Sequence, residues 1–250
     1  MSRSIVLSLC TAVAVALAPA ARAADEPKDI LAKAIKAHGG EDALTKNKAA
    51  ITKNKGKINL PGAGEIEFTQ ETAYMIPDKF KDSMELKIGD KSINVLTIVL
   101  GGKITIEVDG KAMEVPAEAK AALKEAGHML EVARLVPLKD KKYELSIIGD
   151  DKVEGKKVVG IRVTAKSQKD ISVYFDKETG LMAKLEFRGS EPGTGKEITE
   201  ERIITEYSKS KNGVPQPKKV IVKHDGKQFL EAEVVEVTYH EKLDDNVFKK

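Results

Sequence analysis

From Ala50 almost to the carboxyl end, apolar residues recur on every second position and are separated by short runs of turn-forming residues. A period of two puts successive side chains on opposite faces of an extended strand, so such a chain folds as a series of strands with one apolar face each. Ile66/Phe68, Tyr74/Ile76, Met84/Leu86/Ile88, Ile93/Val95 and Ile104/Ile106/Val108 carry the pattern in the first half. Pro61-Gly62-Ala63-Gly64, Ile76-Pro77-Asp78, Gly89-Asp90, Gly101-Gly102 and Asp109-Gly110 reverse the chain between them, through the fixed φ of proline or the positive φ open to glycine. The alternation resumes at Tyr143 and runs through Leu145/Ile147, Ile161/Val163, Ile171/Val173/Phe175, Leu181/Leu185/Phe187, Ile203/Tyr207, Val220/Val222 and Leu230/Val234. Turns are expected at Gly149-Asp150-Asp151, Glu154-Gly155, Asp176 to Gly180, Asn212-Gly213 and Asp225-Gly226. This spacing predicts about eleven strands in one domain over residues 24–250, with no repeat and no linker long enough to divide it.

Helical spacing occurs in two places. Ile30, Leu31, Ala34 and Ile35 mark one face of a helix over Asp29 to Ala37, with Pro27 where a first turn tolerates it and His38-Gly39-Gly40 closing it; a short second helix is expected over Glu41 to Thr45. The other interruption runs from Pro116 to Val136, where Ala, Leu, Lys and Glu dominate and Gly127 is expected to split the helix in two. Its second piece, Met129 to Val136, is apolar around much of its circumference and asks for burial on more than one side. A meander with such a helix in its middle satisfies it best by curling around it as a plug, because a flat sheet covers only one helix face and leaves an unprotected edge.

Ahead of these elements, Arg3 precedes an apolar run from Ile5 to Ala18, broken by Pro19 and followed by Ala21-Arg22-Ala23. This order predicts a secretory signal peptide, residues 1–23, cleaved after Ala23; the run is short of the roughly 20 residues that span a bilayer. Cys10 is the sole cysteine and sits inside the leader, preceded by Leu9, which is too large for the position before a lipidated cysteine. The exported chain is therefore expected to work in the periplasm without disulfide, thiolate metal site or cysteine nucleophile.

When Arg3 and Arg22 leave with the leader the formal charge drops from +3 to +1, and the charges are interspersed as on a solvated strand face, so no nucleic-acid partner is expected. Aromatic residues make up 4% of the chain and Trp is absent, too few for a sugar- or base-stacking platform. His38, His128, His224 and His240 do not fall at metal-ligand spacing, and no metal or cofactor is expected. The acid pairs Glu65/Glu67, Asp150/Asp151, Glu200/Glu201 and Asp244/Asp245 lie in turns or among lysines, where a carboxylate stays ordinary. No Gly-x-Ser-x-Gly elbow occurs, and Gly193-Thr194-Gly195-Lys196 lacks phosphate-loop spacing and precedes a strand, so a hairpin tip explains it; no catalytic residue is expected.

Four segments resemble the LolA/LolB-type superfamily of periplasmic lipoprotein carriers, and more closely the exported proteins sharing that fold. They are Ile30 to Gly40, Ser172 to Leu181, Val214-Pro215-Gln216-Pro217, and Leu243-Asp244-Asp245-Asn246-Val247-Phe248. The resemblance implies a mostly β (α+β) chain: an antiparallel, half-open β-barrel with an N-terminal helix and an inserted helical plug or lid, enclosing an apolar cavity that in the carriers receives acyl chains. Phe68, Met84, Met129, Leu130, Val132, Leu135, Val136 and Phe175 are the residues expected to line it, with flexible methionines adapting to the ligand. The same residues suit a filled core, and then the chain is an envelope scaffold that docks a protein partner. The expected function is noncovalent binding of a lipid or acylated ligand by a monomer.

Export of the full chain should yield a mature protein beginning at Ala24. Intact mass and N-terminal sequencing of the periplasmic fraction check this, and an Ala23→Asp precursor should stay uncut.

Overall fold

The computed structural model describes residues 26–60, 62–191, 195–210 and 213–250. The expected leader, residues 1–23, lies outside the described residues, as do Pro61, the Gly193-Thr194 part of the hairpin tip and Asn212. Two helices open the described chain, α1 (Pro27–Ala37) and α2 (Glu41–Lys46). Six strands follow: β1 (Ala49–Leu60), β2 (Gly64–Met75), β3 (Lys79–Ile88), β4 (Lys91–Leu100), β5 (Lys103–Val108) and β6 (Lys111–Met113). After α3 (Ala117–Ala133) and a 3₁₀ turn (Val136–Lys139) come β7 (Tyr143–Val153), β8 (Lys156–Ala165), β9 (Ile171–Asp176), β10 (Met182–Ser190), β11 (Glu197–Lys209), β12 (Pro215–His224) and β13 (Lys227–His240). A second 3₁₀ turn, Asp245–Phe248, ends the chain.

All thirteen strands belong to one antiparallel sheet, ordered β6-β5-β4-β3-β2-β1-β13-β12-β11-β10-β9-β8-β7. Thirteen replaces the expected eleven. One addition is β1, where Lys53, Lys55 and Lys57 alternate with Asn54 and Gly56 instead of apolar residues; the other is β6, only three residues long. Chain neighbours are sheet neighbours except β6 and β7, and the first strand also pairs with the last. The two edges are β6 and β7, and the chain that joins them is α3.

Directly paired residues share a face. Following the register from Leu185 through Val173 and Ile161 to Ile147 defines the inner face, on which the helices pack. There Ile30, Leu31, Ala34 and Ile35 of α1 and Met129 and Val132 of α3 meet Val163, Ile171, Val173, Phe175 and Leu185 in the main core. Burying one such Leu, Ile or Phe side chain is worth about 1.5–3 kcal/mol, so this cluster dominates the fold's stability. The α1 helix closes as its sequence suggests: the His38 N–H donates to Ala34 O at 3.0 Å, and Gly39 and Gly40 take φ of +104° and +89°.

Gly127 does not break α3, which runs unbroken; a mid-helix glycine only costs about 1 kcal/mol relative to alanine. The helix stops short of the expected end at Val136: Leu135 is held at φ +62°, and Val136 begins the 3₁₀ turn instead. The reversal at Leu135 swings the 3₁₀ turn back and drives Leu138 into the core.

The outer face of β1–β4 is partly covered by the carboxyl end. Leu243 and the fully buried Phe248 pack on Ala49 of β1 and Ala73 of β2, and Lys79 of β3 bonds Asp245 at 2.6 Å. At Gly56 an added Cβ would sit 2.0 Å from Glu231 O, so β1 and β13 approach there as only glycine permits. Phe248→Ala should lower stability by about 3–5 kcal/mol, read as a drop in the denaturant midpoint with an unchanged slope.

Candidate functional site

The inner face is unevenly covered. Its β7–β10 half lies under α1, α3 and the first 3₁₀ turn; six of the eight residues expected to line a cavity gather there. Met129, Val132, Leu135 and Phe175 are each 3% exposed or less inside that core, and Leu130 and Val136 pack against it half-buried. Phe68 and Met84 are not brought to them. They lie in a separate cluster with Ile58, Ile66, Leu86 and Leu230 toward the other end of β1–β3. Leu130 and Leu123 of α3 border a small crevice of about 70 Å³ against Tyr74, Phe80 and Val99.

A larger space opens where α1, the first 3₁₀ turn and β7 diverge. It measures about 580 Å³; Leu31, Ile35, Leu138, Tyr143 and Leu145 form its apolar wall, and Glu26, Lys28, Glu41, Lys139 and Lys141 its rim. Lys139 is held by Glu41 at 2.7 Å, which ties α2 to the turn. The volume falls within the range of small-molecule sites, and an apolar wall with a few charged rim groups is their usual chemistry. Four of the wall residues, Leu31, Ile35, Leu138 and Tyr143, also belong to the main core, so cavity and core share one surface. Residues over 100 positions apart build it, and the spacing of Leu31 and Ile35 on α1 and the alternation at Tyr143 and Leu145 signalled parts of it in the sequence.

By contrast, a groove of about 540 Å³ is lined by Lys55, Lys57, Glu67, Lys87, Lys219, Glu231 and Glu233. Its charges neutralise one another across strands, as in Lys57–Glu65 at 2.7 Å and Lys55–Glu233 at 3.3 Å. Such exposed pairs contribute little energy and aim nothing at a ligand.

The titratable groups nearer the core are mostly structural. Glu200 is desolvated, which by itself raises a carboxyl pKa, yet Arg202 at 2.6 Å and His224 at 3.6 Å hold it at about 2. His224 in turn stacks on Phe229 with ring centroids 4.0 Å apart. Lys184 is buried between Glu186 (2.6 Å) and Glu201 (3.2 Å), its ammonium 4.5 Å from the centroid of the Tyr174 ring. Burial lowers the pKa of His38, whose Nδ1 lies 2.8 Å from Ala34 O, and Tyr207 donates to Met182 O at 2.8 Å beside it. Among the described residues no three His, Cys, Asp or Glu side chains are placed to hold a metal. No helix among them is long and apolar enough to cross a membrane.

No protein-family model matches the chain, and no curated protein matches it. Solved structures do. A DUF1329 family protein from Desulfovibrio piger superposes with a TM-score of 0.57 at 13% identity, over 90% of this chain and 98% of that one. A LolA superfamily protein from Nitrosomonas europaea gives 0.51 at 10% identity, over 91% and 99%. The chain has a LolA-like fold. A putative outer membrane lipoprotein-sorting protein domain from Vibrio parahaemolyticus shares it, with a TM-score of 0.51 and 12% identity over 88% of this chain and 95% of that one. At such identities the likeness carries the LolA-like architecture and none of the site residues.

Because the folded pKa of Glu200 lies below its usual value of 4.5, its contribution is complete above that pH and is lost as pH falls through about 2. Glu200→Gln should cost on the order of 2 kcal/mol at neutral pH, and the melting temperatures of variant and parent should converge as the pH approaches the folded pKa.

Proposed function

We propose that this LolA-like chain binds an apolar or lipid-like molecule noncovalently in the periplasm, without cofactor and without catalysing a reaction on it. The observation that carries the reading is the 580 Å³ space between α1, the first 3₁₀ turn and β7. Its wall is continuous with the main core through Leu31, Ile35, Leu138 and Tyr143. A small outward movement of α1 or α3 extends that space toward Met129, Val132, Leu135 and Phe175, which then line it beside Leu130 and Val136. Phe68 and Met84 would line the far end of the same inner face. Each buried acyl methylene would add about 0.8 kcal/mol, so chain length sets affinity. Structures of this fold include a domain described as lipoprotein-sorting, and acyl chains of a lipoprotein are the corresponding cargo here.

A second reading follows from the near-complete burial of Met129, Val132, Leu135 and Phe175. If that packing never opens, the chain is an envelope scaffold whose surfaces dock a protein partner.

Native mass spectrometry of the mature chain, purified from periplasm without detergent, separates the two. The lipid reading expects a stoichiometric adduct, or uptake of a fluorescent fatty acid. Leu145→Lys, at the cavity wall on an edge strand, should weaken uptake by about tenfold or more while circular dichroism is unchanged. A clean apo mass with no fatty-acid uptake would sink the lipid reading and leave the scaffold.

A further inference from the structure

Between the helix-covered part of the inner face and the Phe68 cluster, the sheet carries a polar seam. The register aligns Thr52, Thr72, Asp82 and Thr97 in one row across β1–β4, and Asn54, Gln70, Met84 and Val95 in the next. On the α3 side the adjoining row is Tyr74, Phe80 and Val99; on the other it is Phe68, Leu86 and Ile93. The seam is hydrogen-bonded within itself. Asn54 Nδ2 donates to Gln70 Oε1 at 3.2 Å, Gln70 Nε2 donates to Asp82 Oδ1 at 2.9 Å, and Thr72 Oγ1 donates to the same oxygen at 2.6 Å.

Asp82 is the anomaly. Carboxylates on the opposite face of β2 and β13 are matched by lysines, as in Glu71–Lys53 at 3.9 Å and Glu233–Lys55 at 3.3 Å. No Lys, Arg or His among the described residues pairs with Asp82, and its Oδ2 receives no donor from them. Burial raises its pKa, opposed only by the Thr72 and Gln70 hydrogen bonds. A register ladder alone needs no charge, since asparagine accepts the same two bonds without the cost of desolvating an anion.

We infer that Asp82, positioned by Gln70, Thr72 and Asn54, is the recognition point for the ammonium group of an amine-bearing amphiphile whose chain lies along the apolar rows on either side. The ammonium, a compact donor of three hydrogen bonds, meets Oδ2 directly and the Thr72 and Thr97 hydroxyls flank it. The free amine end of an alkylamine and the ethanolamine of a phospholipid share this chemistry. The inference rests on the proposed binding of apolar ligands and names the polar end such a ligand carries.

The test is calorimetric titration of the mature chain with dodecylamine, dodecanol and dodecanoic acid, and with vesicles containing phosphatidylethanolamine. Dodecylamine should bind about tenfold or more tightly than dodecanol, with dodecanoic acid weakest. Asp82→Asn should erase the amine preference and leave dodecanol binding intact, whereas Asp82→Glu should keep the preference. Dodecanol binding with no amine preference in the parent chain overturns the role of Asp82 alone. Failure of all three single-chain ligands overturns the apolar-ligand reading and this one with it. Transfer of phosphatidylethanolamine from the vesicles, reduced in Asp82→Asn, assigns the amine to a lipid headgroup; binding of dodecylamine without lipid transfer assigns it to a free amine.

Discussion

An antiparallel sheet has two edges whose backbone groups lack strand partners, and where those edges fall governs the rest of this molecule. Pairing of β1 with β13 moves both chain ends to the middle of the sheet and leaves β6 and β7 as its margins. An unpaired edge invites another strand, so it is normally short, charged or covered. Here β6 has three residues, and the chain between the two edges runs through α3 and the first 3₁₀ turn. The helix is thereby committed to the inner face, and α1, entering just before β1, is committed beside it. The cavity between α1, the first 3₁₀ turn and β7 exists because two helices of finite width cannot cover the whole inner face of thirteen strands.

Much of this was legible in residue spacing. The period of two located the strands from β2 onward except the three-residue β6, and Ile30, Leu31, Ala34 and Ile35 identified the buried face of α1, because burial on one side leaves a periodic trace. The trace is missing where neither face is strongly apolar. β1 alternates lysine with Asn54 and Gly56, since its outer face is ionic and its inner face carries the polar seam, so it could not be counted from pattern. Gly127 misled because propensity is only a weak penalty once neighbouring turns are packed. Leu135 misled in the opposite sense: a left-handed leucine has no local signature, and it sits where both its own side chain and that of Leu138 enter the main core.

The candidate site divides the same way. Met129, Val132, Leu135 and Phe175 could be named as buried, but burial alone does not separate the wall of a cavity from the interior of a core. Cavity walls depend on gaps between elements remote in sequence, as Leu31 and Leu145 are. The polar seam is also a product of register, because Asn54, Gln70, Thr72 and Asp82 each look like ordinary strand polar residues until three strands are aligned. Once they are aligned, Asp82 differs from the paired carboxylates across the sheet by its missing counter-charge.

The β1–β13 pairing also orders events in time. Each other strand contact joins near neighbours in sequence or the two sides of one connection, whereas this one joins Ala49 to His240, the longest loop the sheet closes. Long loops are slow to close, and a chain made or threaded from its amino end cannot begin this step until β13 has emerged. Two half-sheets, β1–β6 and β7–β12, are therefore free to form first, each with one unpaired flank awaiting the last strand. Until it arrives, β1 and β12 are exposed margins in addition to β6 and β7, and both are rich in lysine, as suits flanks left open during synthesis, β1 for the longest interval.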